Sequence, residues 1–186
     1  MVPIMSLWLP IVLAAVFVFV VSSIIHMFLG YHAGDYAKLP AENDVMGALG
    51  KFSIPPGEYV MPYAGGMEAM KSPDYLEKAN RGPVAFMTVL PNGVPGMGKS
   101  LALWFLYSLV VGVFAAYIAG RALEPGAHYL EVFRFAGCTA FVGYTVAGWQ
   151  NSIWYSKAWS TTLKNTFDGL VYALLTAGTF GWLWPS

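Results

Sequence analysis

Charge is scarce in this chain. Of 186 residues, ten are Lys or Arg and ten are Asp or Glu, whereas about a quarter of a soluble domain is charged. Neither sign is in excess, so the basic surface that nucleic acid requires is missing. Cysteine is nearly absent: Cys138 stands alone, which excludes an internal disulfide and any multi-cysteine metal site. Histidine is limited to His26, His32 and His128. What is abundant is apolar surface. Hydrophobic residues make up 57% of the chain and aromatic ones 16%, a composition that points to a membrane protein.

The apolar residues fall into runs, and a hydrocarbon core is crossed by about 20 of them as helix. The first run covers Leu7 to Leu29; it lacks a basic leader and is too long for a signal peptide, so it reads as a retained span. The second is Ser100 to Gly120, with no charge inside. The third, Phe133 to Trp149, has Glu131 and Arg134 at its start, and the fourth, Phe167 to Trp184, begins beside Asp168. The expected fold is an α-helical integral membrane protein with four transmembrane helices. Residues 1–30 form helix 1, residues 31–98 a small α+β cap, and residues 99–186 a three-helix bundle of helices 2–4.

Lys and Arg set the orientation. Lys38, Lys51, Lys71, Lys78, Arg81, Lys99, Lys157 and Lys164 fall on one side and Arg121 and Arg134 on the other, eight against two. The positive-inside bias therefore places residues 31–98 in the cytoplasm and both termini in the periplasm. Trp8, Trp182 and Trp184 fall in an outer interfacial belt, and Trp104, Trp149, Trp154 and Trp159 in an inner one.

One stretch reads as a nucleotide site. GVPGMGKS, Gly93 to Ser100, matches the P-loop pattern. A P-loop needs a preceding strand, a following soluble helix and a parallel sheet around both. Here the helix after Lys99 is a membrane span, and no second apolar strand ending in Asp exists to hold magnesium. The stretch reads as a glycine-rich turn into a helix, with Lys99 snorkelling to the interface and no nucleotide bound.

Small residues recur at four-residue spacing, which keeps them on one helix face and lets backbones approach in lipid. Span two carries Ser108, Gly112, Ala116 and Gly120; span three Thr139, Gly143 and Ala147; span four Gly169, Ala173, Ala177 and Gly181. Span one has no such ladder, and its VFVFVV run is bulky. The expectation is a tight bundle of spans two, three and four with span one peripheral. The ladders serve internal packing, or one of them faces another subunit.

Within the cap, LPAENDVMGALGK and SPDYLEKAN read as short helices, the second with Ser72 as N-cap and Pro73 at its first position. EYVMPY and VAFMTVL read as strands. Methionines at 46, 61, 67, 70, 87 and 97 give the region an adaptable apolar surface.

Chemistry is thinly marked: the residues select no catalytic, cofactor-binding or metal-ligating set. His26, His32 and Asp35 lie near the inner end of span one, and imidazole with carboxylate can bind zinc. Their spacing matches no motif, so a solvated interfacial cluster is the plainer reading. The topology argues against a bis-histidine haem, because His128 should lie a membrane away from His26 and His32. Glu131 with Arg134, and Lys164 with Asp168, are spaced to pair along their helices. Asp168, beside the ladder of span four, is the charge with the most functional interest.

NSIWYSKAWSTTLKNTFDGLVYALLTAGTFGWLWP, PPGEYVMPY and GMGKSLALWF resemble stretches of small uncharacterised bacterial four-helix inner-membrane proteins. The resemblance implies a multi-pass protein of the bacterial inner membrane and brings no activity, cofactor or catalytic residue. The leading expectation is a non-catalytic accessory or assembly subunit of a bacterial membrane complex, respiratory or photosynthetic, touching lipid and other membrane subunits and not nucleic acid. An alternative is a small transporter or channel formed by oligomerisation, with Ser108, Thr139, Thr145, Thr176 and Thr179 along its path. A further alternative is a membrane enzyme using His26, His32 and Asp35.

Overall fold

The computed structural model describes residues 1–186. The chain is mostly helical with one small sheet. In chain order the helices are α1 (Trp8–Phe28), α2 (Glu42–Gly50), α3 (Pro73–Arg81), α4 (Met97–Ala122), α5 (Tyr129–Tyr144), α6 (Gln150–Tyr155) and α7 (Trp159–Trp182), with strands β1 (Gly57–Met61) and β2 (Ala85–Val89) between α2 and α4. Two helical stretches, Ile4–Phe28 and Met97–Ala122, are long and apolar enough to cross a membrane. The chain divides into two compact units, one made of Met1–Ala37 with Gly96–Ser186 and the other of Lys38–Pro95.

In the smaller unit, β1 and β2 pair antiparallel, from Gly57 opposite Val89 to Met61 opposite Ala85. Pro62 has no N–H to continue the ladder. Ser72 caps α3 by accepting from the Tyr75 amide at 3.2 Å, with Pro73 at the first helical position. A two-stranded antiparallel sheet differs from the parallel sheet that surrounds a P-loop, and β2 ends at Val89, before the glycine-rich stretch begins.

In the helical unit, α1 is not peripheral. It buries Ile11, Ala14, Ala15, Val18, Ser22 and Ile25, a stripe at helical spacing. The reason is the ladder of α4. A Cβ on Gly112 would lie 3.3 Å from Ile11 Cγ2, and one on Gly120 would lie 2.7 Å from the Val2 carbonyl oxygen. Ser108 and Ala116 are buried on the same face. A smooth face on one helix is enough to receive bulky side chains from the other, so α1 needs no ladder of its own. The Trp104 indole N–H also donates to Ser22 Oγ at 2.8 Å.

The face of α5 is one residue from the expected one. Val132, Ala136 and Ala140 are buried. Thr139 is partly exposed and its hydroxyl donates to the Phe135 carbonyl; Gly143 lies against Val111; Ala147 is exposed and outside the helix. The 3-10 turn Val146–Trp149 ends the α-helical spacing on which the expected ladder depended. The start also differs: His128 and Glu131 form a capping box, so α5 begins at Tyr129. Glu131 serves that cap and is not paired with Arg134. On α7 the small residues meet α5: Gly169 abuts Thr145 and Tyr144, Ala177 abuts Gly137, and Gly181 lies under the Tyr129 ring, while Ala173 is buried between them.

Candidate functional site: a histidine–carboxylate cluster

The last turn of α1 carries His26, and its ring Nδ1 donates to the Ser22 carbonyl at 3.0 Å. That bond requires a proton on Nδ1, so Nε2 is the nitrogen of this ring that could bind a metal. Beyond α1 the chain turns at Gly30, whose φ of +66° suits glycine. The Ala33 amide closes that turn on the Gly30 carbonyl, and the Asp35 amide closes the next on His32. Tyr31, His32 and Asp35 are thereby brought against α7, where Lys164 and Asp168 stand one turn apart.

His32 is the centre of the contacts. Its Nδ1 donates to Asp35 Oδ2 at 2.6 Å and its Nε2 to Asp168 Oδ2 at 2.8 Å. The Tyr31 hydroxyl donates to Asp168 Oδ1. Lys164 donates to Asp35 Oδ1 and to the Tyr31 carbonyl, each at 2.7 Å. It pairs with Asp35 and not, as its spacing suggested, with Asp168, because the turn after α1 brings Asp35 within reach. The cluster is also less solvated than expected. Asp168 is 2% exposed, and the His32 and Asp35 side chains are 14% and 9% exposed. The expected solvated cluster is thus half-buried at His32 and Asp35 and exposed at His26, and it is joined by a buried carboxylate more than 130 residues away in the chain.

Burial works against charge on His32, but the hydrogen bonds to Asp35 and Asp168 outweigh it and hold the imidazole above its ordinary value. Asp35 is held below its ordinary value, first by the hydrogen bond from Lys164 and then by that from His32. Burial, reinforced by the bond to Asp168, keeps the Tyr31 phenol protonated beyond its ordinary range. Two carboxylates thus face one lysine and one imidazole. The folded value of His32 is raised, so its contribution to stability is full below the ordinary imidazole range and is lost as pH rises through the folded value. The folded value of Asp35 is depressed, so its contribution is lost as pH falls through that value. In chelator, thermal stability is expected to plateau between these limits, with His32→Gln flattening the alkaline limb and Asp35→Asn the acidic one. Unchanged limbs in both variants would show that other groups set them.

The same residues fit a metal ion. One donor atom each from His26, His32 and Asp168 lies within 4.8 Å of the others. Ligand atoms around a tetrahedral first-row ion sit about 3.4 Å apart, from bonds of about 2.1 Å. His32 and Asp168 must open slightly from 2.8 Å, and His26 must move inward. The His26 and His32 rings are stacked, with centroids 4.7 Å apart and planes 9° from parallel. An ion bound by both must lie in both ring planes, so loading turns one ring. His26 is the more exposed of the two, and turning its ring gives up the Nδ1 bond to the Ser22 carbonyl. Asp35 on the far nitrogen of His32 is the carboxylate–histidine arrangement that orients a metal-binding imidazole, and Lys164 fixes Asp35.

The cluster borders a half-open cavity of about 520 Å³, to which His26, Asp168 and Tyr172 contribute walls. Tyr172 packs against Trp104 and Tyr144, with centroids 5.7 and 5.6 Å away. Its buried hydroxyl has no hydrogen-bond partner in the chain.

The structure thus brings together His26, His32, Asp35 and Asp168, the four polar residues singled out in the sequence, and adds Tyr31, Lys164 and the cavity. Nothing in sequence spacing links the turn after α1 to α7; the only signal was Lys164 and Asp168 sharing one helix face. No family model, curated protein or solved structure matches the chain.

Proposed function

We propose that this chain is a multi-pass membrane protein that binds one divalent transition-metal ion through His26, His32 and Asp168. The observation that carries this is the convergence of three donor atoms within 4.8 Å from two distant chain segments, with Asp35 and Lys164 behind His32. Two imidazoles and a carboxylate suit Zn²⁺ or Fe²⁺, and three protein ligands leave a position open beside a cavity. In this reading α5 and α7 cross the bilayer with α1 and α4, and the cluster lies on the cytoplasmic side. The apolar lengths, the Lys/Arg distribution and the resemblance to bacterial inner-membrane proteins support that placement. An accessory subunit drew its support from the lack of buried charge, redox ligands and an activated nucleophile, and from the small-residue ladders, the span without one and the methionine-bearing loop. The ladders of α4 and α7 are occupied by α1 and α5 of the same chain, so the cluster carries the functional reading instead.

The contacts of His32 with Asp35 and Asp168 and of Lys164 with Asp35 favour a second reading, in which the cluster is a polar clasp holding the turn after α1 to α7. Elemental analysis of the full chain, purified in mild detergent from cells supplied with metals, separates the two. About one equivalent of zinc or iron per chain is expected, lost in His26→Ala. His26 takes no part in the ion pairs, so the clasp survives that change. A metal-free wild-type protein, or His26→Ala with an unchanged content, would leave only the clasp.

A further inference from the structure

The cavity has polar groups that the cluster does not use. Lys157, Asn151, Asn165, Ser100 and Thr161 all line it. By contrast, the neighbouring Thr166 and Thr162 hydroxyls are engaged, by the Trp149 indole and by Ser152. With the unpartnered Tyr172 hydroxyl, the uncommitted set is one ammonium, two amides and three hydroxyls. Every member is a donor, and the only cation is a single lysine. Such a set matches an oxygen-rich acceptor of low charge, which describes a phosphodiester better than a polyphosphate or a neutral apolar molecule.

The rest of the lining is of another kind. Met27, Met97, Leu101 and Trp104 form an apolar stretch of the same cavity. Met27 lies in the last turn of α1 and Met97 in the first turn of α4. These are the two helices long and apolar enough to cross a membrane, so the cavity lies at their ends on the same side. In a bilayer that is the depth of lipid headgroups. The volume, about 520 Å³, is in the range of sites that enclose small ligands.

We propose that this cavity seats a glycerophospholipid, with its phosphodiester among Lys157, Asn151, Asn165, Ser100 and Thr161 and its acyl chains along Met27, Met97, Leu101 and Trp104. The site rests on the membrane reading but not on the metal, because none of these side chains is a proposed ligand. A lipid held there places its ester region beside His26 and Asp168.

The test is native mass spectrometry of the full chain in mild detergent, with phosphatidylethanolamine as the probe and diacylglycerol as the phosphate-free control. One retained phosphatidylethanolamine per chain is expected, with diacylglycerol retained far less. Lys157→Gln should lower occupancy about tenfold, the scale of one charge-assisted hydrogen bond. A second variant acts by filling space. Gly148 lines the cavity, and a Cβ there meets nothing within 4 Å, so Gly148→Leu should fold normally and exclude the lipid. Equal retention of diacylglycerol, or phosphatidylethanolamine occupancy unchanged in both variants, would overturn the proposal. So would its displacement by millimolar inorganic phosphate, which would make the site one for a free anion. Alkaline carbonate extraction tests the membrane reading separately: release of the chain from membranes overturns that reading whatever the lipid result.

Discussion

Asp168→Ala is expected to empty the metal centre and to destabilise the helical unit in the same step. The carboxylate is 2% exposed and receives both the His32 imidazole and the Tyr31 hydroxyl. Removing it deletes a ligand and leaves the His32 imidazole and the half-buried Tyr31 phenol without their shared partner. Breaking a buried ion pair from one side costs about 3 kcal/mol, or roughly 6–12 °C in a chain of this size. Asp168→Asn keeps the shape and one acceptor oxygen, so it should lose the metal as fully while losing less stability. Metal content and thermal unfolding in chelator measure the two effects independently. A wild-type unfolding midpoint in Asp168→Ala would mean that the contacts of His32 do not hold the turn after α1 in place.

Gly169→Ala should be the most damaging single-methyl change. A Cβ at this position would overlap Thr145 Cγ2 and lie 3.2 Å from Tyr144 Cβ, so α5 and α7 must separate. The intrinsic preference of helices for alanine over glycine works the other way, by about 1 kcal/mol. Overpacking of a well-filled interface costs about 1–3 kcal/mol, and here the overlap involves a stiff, β-branched side chain on a helix end, so the cost is expected to win. Adding Thr145→Ser removes Cγ2 and keeps the hydroxyl that donates to the Phe141 carbonyl. The double variant should recover more than half of the lost thermal stability. Gly148→Ala, which meets nothing, serves as the reference. A Gly169→Ala protein as stable as that reference would refute the close α5–α7 packing at this level.

These two positions also show what the sequence made legible. Apolar run length located α1 and α4 to within about three residues, because the hydrophobic pattern acts locally. It set α5 four to five residues late and missed the polar first two turns of α7, which starts at Trp159 and not at Phe167. Gly169 was marked as a packing residue by its four-residue spacing, and the structure supplies its neighbour. Spacing failed where a local signal overrode it. The capping box at His128 advanced the start of α5, and the 3-10 turn at Val146 cut the helix short of Ala147. The peripheral placement of α1 failed for another reason: packing needs only one smooth surface, and α4 supplied it. Each half of the cluster was visible, His26, His32 and Asp35 in one segment and Asp168 in another. Their meeting depends on the turn at Gly30 and on the side-by-side placement of α1 and α7, which no local pattern encodes.

The central claim is that His26, His32 and Asp168 form one metal centre, and X-ray absorption of the zinc-loaded full chain addresses it most directly. A first shell of nitrogen and oxygen at about 2.0–2.1 Å is expected, with multiple scattering from two imidazoles. A shell without imidazole scattering, or one containing the sulfur of the lone Cys138, would contradict it.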